Sequence, residues 1–416
     1  SRNPAQRSWI PGQARNDNQS KETVGTLRWT FSCIGKLVRG SRKGTVKMQK
    51  QPEGAASYLG AGVDVEGEEQ VLSRVIETAT ETFAFVRGIG KPVLPIGFFA
   101  NVIDLGHGMG LALSTDGVGT KLMVAQMMQK FDTIGIDCVA MNVNDVLCVG
   151  ARPVSFLDYI AVQEANPHLI GQLMQGLKEG ARRAGVAICG GEIAQIREML
   201  ASEREGWGCD LVGMCVGHVP LDKVIVGRSV TPGDVIIGIR SSGIHSNGLT
   251  LARQVLFTQN RYTVDTKIEE FGRTLGEELL EPTAIYVPEV VEALERSLAI
   301  TGLAHITSDG LLNLLRLDAQ PHAVGYEIDR LPPIPPIFSL IQKSGGIPDH
   351  EMFQVFNMGI GFCVVVAEAD AESFLEIVKH HGREALQIGR VVSDPERKVV
   401  IRPHGLVGQG NRFIKV

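Results

Sequence analysis

The chain has 416 residues, 44% hydrophobic and 21% charged, with a formal net charge of −5. That length suits about two domains of roughly 150–200 residues with an ordinary core. The mildly acidic balance excludes a bulk nucleic-acid binder, and the lack of any run of about 18 apolar residues excludes a membrane-spanning helix.

Seven cysteines, at 33, 138, 148, 189, 209, 215 and 363, form no Cys-x-x-Cys pair, and several lie in apolar runs such as Val146 to Val149. They read as buried free thiols of a reducing compartment, which for this chain means the cytoplasm.

Residues 1–47 stand apart. They carry ten Lys/Arg and two Asp/Glu, against 31 and 44 in the remainder, and include Trp9 and Trp29. An Arg-rich, acid-poor stretch without periodicity fits a transit-type presequence, or translated upstream or cloning sequence ahead of Met48. The second reading is preferred because Gln49-Lys50-Gln51 makes a plausible opening after Met48. Little order is expected there, and residues 1–54 are set aside as an extension.

From about Ser57 to Val219 strands alternate with helices. Leu111 to Thr115 reads as a strand entering a glycine loop. Thr133 to Val149 reads as a helix with apolar residues at Ile134, Ile136, Val139, Ala140, Val143, Val146 and Leu147. A strand over Val154 to Val162 and an amphipathic helix from His168 to Ala184, stopped at Gly185, follow. Val186 to Cys189 reads as a short buried strand, and Leu211 to Val219 as another strand. Pro220 breaks the pattern, giving a boundary between 55–220 and 221–416. The turn Thr231-Pro-Gly-Asp234 leads to the strand Val235 to Ile239, and a long helix is expected from about Leu249. The proline run from Leu331 to Pro336 reads as a rigid connector.

Six polar constellations interrupt these elements. In Ser114 to Lys121, the glycines Gly117 and Gly119 would let backbone N–H groups approach phosphate oxygens. Lys121 adds a point charge, and Asp116 could hold magnesium. The Walker pattern is absent, and an ordinary Asp-Gly hairpin turn explains the stretch about as well. On the next helix, Asp137, Asn144 and Asp145 lie among apolar residues, Asp137 and Asn144 on one face. Buried carboxylates need a cation or a raised pKa, so a metal shared with Asp116 is one reading and solvent-facing carboxylates the other. In Ser241 to Gly248, Ser246 or Asn247 could cap the following helix, whose free N–H groups favour an anion, and His245 could move a proton. Gly190-Gly191-Glu192 and His305 to Gly310 are polar loops at strand ends. Glu351 to Phe362 sets glycines between apolar residues, fitting a ligand wall or core packing alike.

Taken together and in order, Ser57-Tyr58, Ala61 to Asp64, Thr115 to Lys121, Asn144-Asp145, Gly190 to Glu192, Ser242 to Gly248 and Phe356 to Gly359 resemble the phosphoribosylformylglycinamidine cyclo-ligases, or aminoimidazole ribonucleotide synthetases. The flavour is archaeal, notably Cys148 to Ala151 and Leu249 to Arg253. The resemblance runs from about residue 57 to 402. It implies a two-domain α/β plus α+β fold. An N-terminal ATP-binding and dimerisation domain (55–220) would form a barrel across a homodimer, and a C-terminal α+β domain spans 221–416. It implies ATP-dependent closure of formylglycinamidine ribonucleotide to 5-aminoimidazole ribonucleotide, with magnesium and, as a candidate, potassium. No nucleic-acid or membrane partner is implied.

Carried onto these positions, the resemblance places Asp116, Asp137 and Asp145 near magnesium and Lys121 and Thr120 on phosphates, with Asp116, Lys121 and His245 as the catalytic set. Gly117, Gly119, Asn144, Gly190, Gly191, Glu192, Ser242, Ser246, Asn247, His305 and Thr307 would bind ATP or substrate. Two motifs depart from the pattern. Ile193, Gln195 and Ile196-Arg197 stand where Thr, Glu and Met-Pro are usual, and Ser308-Asp309 replaces two glycines. Rival readings are a thiamine-monophosphate-kinase-type or selenophosphate-synthetase-type enzyme, or a nucleotide-binding paralogue without turnover.

Overall fold

The computed structural model describes residues 56–57, 60–61, 65–200, 202, 204–320 and 322–416. The basic segment 1–47, Cys33 and motif residues 58 and 62–64 lie outside them. Two sheets carry the fold, both within one unit spanning Lys50–Val416.

The first sheet has five strands: β1 (Asn101–Gly106), β2 (Met109–Gly117), β3 (Arg152–Val162), β4 (Ala187–Gln195) and β5 (Cys209–Pro220), in the order β1-β2-β5-β3-β4. All neighbours are antiparallel except β3 and β4. The helix Ile134–Leu147 packs on β2 and β5, and every residue of it except Asp145 is buried. That explains why its sequence is apolar almost all round rather than on one stripe. The helix Pro167–Ala184 crosses it in backbone contact: a Cβ on Gly135 would lie 2.1 Å from the Leu177 nitrogen, and one on Gly176 2.5 Å from the Asp132 oxygen. Asn166 caps this second helix through Oδ1, which accepts from the His168 and Leu169 N–H groups, and Gly185 ends it at φ 67°.

The other face of the sheet carries exposed apolar side chains. Leu157, Tyr159, Ile193 and Met214 are exposed on strands β3, β4 and β5. β4 is longer and more open than its apolar start suggests. It continues through Gly190-Gly191 as an edge strand paired with β3 alone, and most of its residues, Cys189 included, are exposed. The five other described cysteines are buried and free, and burial pushes all five thiols up.

The second sheet has eight strands, ordered β15-β14-β13-β10-β12-β6-β11-β9. Here β6 is Val235–Arg240, β9 Ile300–His305, β10 Val324–Ile328, β11 Ile360–Val366, β12 Ala385–Ser393, β13 Val399–Ile401, β14 Leu406–Gln409 and β15 Arg412–Lys415. A small hairpin, β7 (Lys267–Ile268) with β8 (Arg273–Thr274), sits apart. The expected long helix after Leu249 is five α-helical residues, Leu249–Arg253, followed by π-helix over Gln254–Gln259. Its cap is Gly248 at φ 76°, not Ser246 or Asn247, because those side chains are engaged elsewhere: Ser246 with Thr283 and Asn247 with Ser308. Among the described residues no helix is long and apolar enough to cross a membrane.

Candidate active site

The two sheets meet where the end of β2, the helix Ile134–Leu147 and the end of β9 converge. Asp116 closes β2 and turns its Oδ1 back onto the Gly117 N–H at 2.7 Å. Asp145 is the one residue of its helix that reaches an opening, and its Oδ1 accepts from His305 Nδ1 at 2.9 Å. His305 is fully buried at the end of β9, and its Nε2 lies 3.4 Å from Asn144 Nδ2. Asp145 Oδ1 facing Nδ1 fits a ring that carries a proton on Nδ1 toward the carboxylate. Burial, with the charge of Asp145 behind it, pushes the Asp116 carboxyl up to about 6, while the Gly117 N–H and His305 oppose the shift. A cavity of about 200 Å³ opens beside Asp145, walled by Ser114 and Thr115 on one side and Phe98, Phe99 and Asn101 on the other.

Lys121 and Asp137 take no part in this opening. Both side chains are 0% exposed, and Lys121 Nζ donates to Asp137 Oδ1 at 2.9 Å and to the Glu281 carbonyl at 2.6 Å. The same Asp137 oxygen accepts from the Thr283 N–H and hydroxyl at 2.7 and 2.6 Å. The expectation that Asp137 shares a metal with Asp116, and that Lys121 reaches phosphate, departs from this geometry. Each neutralises the other inside the protein. The shared helix face of Asp137 and Asn144 is real, but it meets the segment 281–286. There Asn144 donates to the Ala284 carbonyl at 2.9 Å and accepts from the Tyr286 N–H at 3.0 Å. Its amide is thereby committed to the interior rather than to a ligand.

His245 is likewise buried. It sits at φ 63°, and its Nε2 accepts from the Ser242 and Ala284 N–H groups at 3.2 and 3.4 Å. Burial first, and then the charges of His305, Lys121 and Arg383, hold its pKa well below 6.5. It is a neutral ring with its proton on Nδ1 and its Nε2 occupied, which does not suit the expected role of moving a proton.

Residues 99–219 match the family described as AIR synthase related protein, N-terminal domain, and residues 231–402 its C-terminal domain. The phosphoribosylformylglycinamidine cyclo-ligase of Thermococcus kodakarensis is 47% identical over 344 residues, covering 82% of this chain and 97% of that protein. The enzyme of that name from Methanocaldococcus jannaschii is 44% identical over 341 residues, covering 82% and 93%. The chain belongs to the phosphoribosylformylglycinamidine cyclo-ligase family. A crystal structure of a HypE–HypF complex shares the fold, with TM-score 0.55 and 20% identity over 76% of this chain and 93% of that one.

The remaining cyclo-ligase motif residues fall into three groups. Gly117, Gly119 and Thr120 form the loop after β2; Gly119 needs its positive φ of 71° but has open space around it, and Thr120 Oγ1 meets Thr250 Oγ1 at 3.0 Å. Gly190, Gly191 and Glu192 lie on exposed edge strand β4, where a Cβ on Gly191 would strike Asp158 Oδ1 at 2.6 Å. Ser242, Ser246, Asn247 and Thr307 line two facing loops. Ser242 Oγ donates to the Pro282 carbonyl at 2.5 Å, and the Thr307 carbonyl accepts from the Gly310 N–H.

The two departures from the cyclo-ligase pattern each find a structural place. Arg197, where the motif has proline, pairs with Glu164 at 2.8 Å and with Glu205. Asp309 takes φ 69°, a conformation Asp tolerates better than most residues, and Gly310 keeps the position where a Cβ would lie 2.0 Å from the Phe353 oxygen. Sequence reading passed over the segment 281–286 and the loop 95–101. The first acts largely through backbone atoms, and neither carries a motif of charged residues.

Proposed function

We infer that this chain is an ATP-dependent ligase that closes formylglycinamidine ribonucleotide to 5-aminoimidazole ribonucleotide, releasing ADP and phosphate, in purine biosynthesis. The observation that carries the reading is its 43–47% identity, over at least 82% of the chain, to several proteins named for this reaction. That likeness disfavours a thiamine-monophosphate-kinase-type activity or a silent paralogue.

The reaction moves a phosphoryl group from ATP to the formyl oxygen. A nitrogen of the substrate then attacks that carbon, the C–O bond breaks, and phosphate leaves as the ring closes. Asp116 and Asp145 fit a divalent cation, since the charge of Asp145 is one reason the Asp116 carboxyl titrates high. Among the described residues no group of three or more His, Cys, Asp or Glu could hold a metal, so these two carboxylates would share magnesium with phosphate oxygens and water. When bound, magnesium neutralises charge on the triphosphate. The chain's own part is positioning. His305 orients Asp145. The turn at Gly119 and Thr120 and the β4 glycines offer backbone N–H groups to phosphate. Ser242, Ser246, Asn247 and Thr307 present polar groups to the ribonucleotide, and neutral His245 holds Ser242 and Ala284 in place.

Two further assignments belong to this reading. The exposed apolar face bearing Leu157, Tyr159, Ile193 and Met214 suits closure against a second copy into a barrel, and light scattering at micromolar concentration should give a dimer. The enzyme works in the cytoplasm, and potassium is tested by replacing it with sodium. The deciding assay supplies ATP, magnesium and formylglycinamidine ribonucleotide and follows aminoimidazole product with ADP. Equal amounts support the reading; ATP binding with neither product overturns it.

A further inference from the structure

Ser308 stands at a position where the family pattern has glycine, and it reaches across to the opposite loop. Its hydroxyl donates to Asn247 Oδ1 at 3.1 Å. The loop carrying it is rigid. Asn313, itself buried, donates through Nδ2 to the Ser308 carbonyl at 2.6 Å and to the Gly310 carbonyl at 3.0 Å. Gly310 has no room for a side chain against the Phe353 oxygen. The loop carrying Asn247 is equally fixed. Asn357 Nδ2 donates to the Gly243 and Ile244 carbonyls at 3.0 and 3.2 Å, and a Cβ on Gly248 would strike the Phe356 ring at 2.3 Å. Both loops therefore rest on the segment 353–357, and the distance between Ser308 and Asn247 is set by the scaffold rather than by chance contact.

This contact has a chemical consequence. An amide side chain can present either its oxygen or its NH₂ to a ligand. With Oδ1 taken by the Ser308 hydroxyl, the NH₂ of half-buried Asn247 is the end left for a ligand, and among the described residues it has no hydrogen-bond partner.

We propose that Ser308 is a positioning residue that holds the Asn247 amide by its oxygen and so leaves its NH₂ to donate to an acceptor oxygen of the ribonucleotide. The proposal rests on the cyclo-ligase reading. Ser308 does not touch the reacting atoms; it acts through Asn247, so its loss weakens ribonucleotide binding and leaves phosphoryl transfer alone.

The test uses the full chain, first showing wild-type turnover, so that failure of the cyclo-ligase reading is seen separately. Ser308→Ala should raise KM for formylglycinamidine ribonucleotide about three- to tenfold, the worth of one neutral hydrogen bond. The kcat and the KM for ATP should stay within about twofold of wild type, and Ser308→Thr, which keeps the hydroxyl, should restore the wild-type KM. Asn247→Asp, which keeps the acceptor and removes the donor, should raise the same KM further. Adding Ser308→Ala to Asn247→Asp should then cost nothing more, because the group being oriented is gone. The proposal is overturned if Ser308→Ala leaves the ribonucleotide KM unchanged or raises both KM values alike. It is also overturned if the two substitutions multiply independently.

Discussion

Removing the Lys121 ammonium separates a structural lysine from a phosphate-binding one. Lys121 and Asp137 are both 0% exposed and 2.9 Å apart. At an effective dielectric near 20 their attraction is on the order of 6 kcal/mol, most of which offsets the cost of taking two charges out of water. Breaking such a pair from one side leaves an uncompensated buried charge and typically costs about 3–5 kcal/mol. Asp137 would keep only its two bonds from Thr283, both to Oδ1, while Oδ2 is already buried without a partner. Lys121→Met, which fills most of the volume, should therefore lower unfolding free energy by about 3–5 kcal/mol in urea titration. Adding Asp137→Asn removes the stranded charge and should recover part of that loss. If Lys121→Met instead unfolds within about 1 kcal/mol of wild type while the KM for ATP rises more than about tenfold, the ammonium faces phosphate and the buried-pair argument fails.

Three other expectations follow from the same geometry. Asp116 titrates near 6 rather than at 3.8, so its contribution to the stability of the free protein is fully present below about pH 4 and lost as pH rises through about 6. Asp116→Asn should therefore be more stable than wild type at about pH 8 and equal to it below pH 4 by urea titration, and stabilisation of wild type by magnesium should appear only as pH rises through about 6. Gly361→Ala would place a Cβ 1.9 Å from the Tyr286 hydroxyl oxygen and 2.6 Å from His245 Cε1; a loss of about 1–3 kcal/mol or more is expected, and an unperturbed denaturation curve would contradict the packing. Arg316 lies over the Phe99 ring at 3.8 Å and bonds the Gly97 carbonyl at 3.4 Å, steadying the cavity wall opposite Ser114 and Thr115. Arg316→Ala should raise the KM for ATP about two- to tenfold, as loss of an exposed to partly desolvated cation–π contact implies, with little change in stability.

What was legible in the sequence was whatever local periodicity and turn chemistry decide. The helix around Asp137 to Asp145 shows in its apolar spacing, its neighbour in Asn166 and Gly185, and β2 in its run into Asp-Gly. Less legible was which polar residue faces a ligand. Lys121 and Asp137 sit in motifs as suggestive as those of Asp116 and Asp145, yet sixteen positions apart they meet each other. Only tertiary placement distinguishes a carboxylate matched by an ammonium from one facing another carboxylate. The cap at Gly248 is illegible for a similar reason: Ser246 and Asn247 are good local caps, but Thr283 and Ser308, distant in sequence, claim them. The apolar start of β4 suggested burial because composition does not reveal that a strand has only one neighbour.

The segment 281–286 explains how these placements depend on one another. The Glu281 carbonyl accepts from Lys121, the Pro282 carbonyl from Ser242, Ala284 exchanges bonds with His245 and Asn144, and the Ile285 carbonyl accepts from Arg383 at 2.6 Å. The Tyr286 hydroxyl then donates to the Arg240 carbonyl at the end of β6. A buried backbone leaves few polar groups unpaired, so a strap of six residues has to find partners on whatever surrounds it. Here the partners come from the helix under the first sheet and from the loops of the second. A shift of the strap would break bonds to Asp137, Asn144 and His245 together. Asn144 also touches His305, and His305 holds Asp145, so the carboxylate at the opening is tied through two side chains to the strap. The buried pair is thus linked to the opening: Lys121 and Asp137 hold the strap, the strap holds Asn144, and Asn144 meets the His305 ring that bonds Asp145.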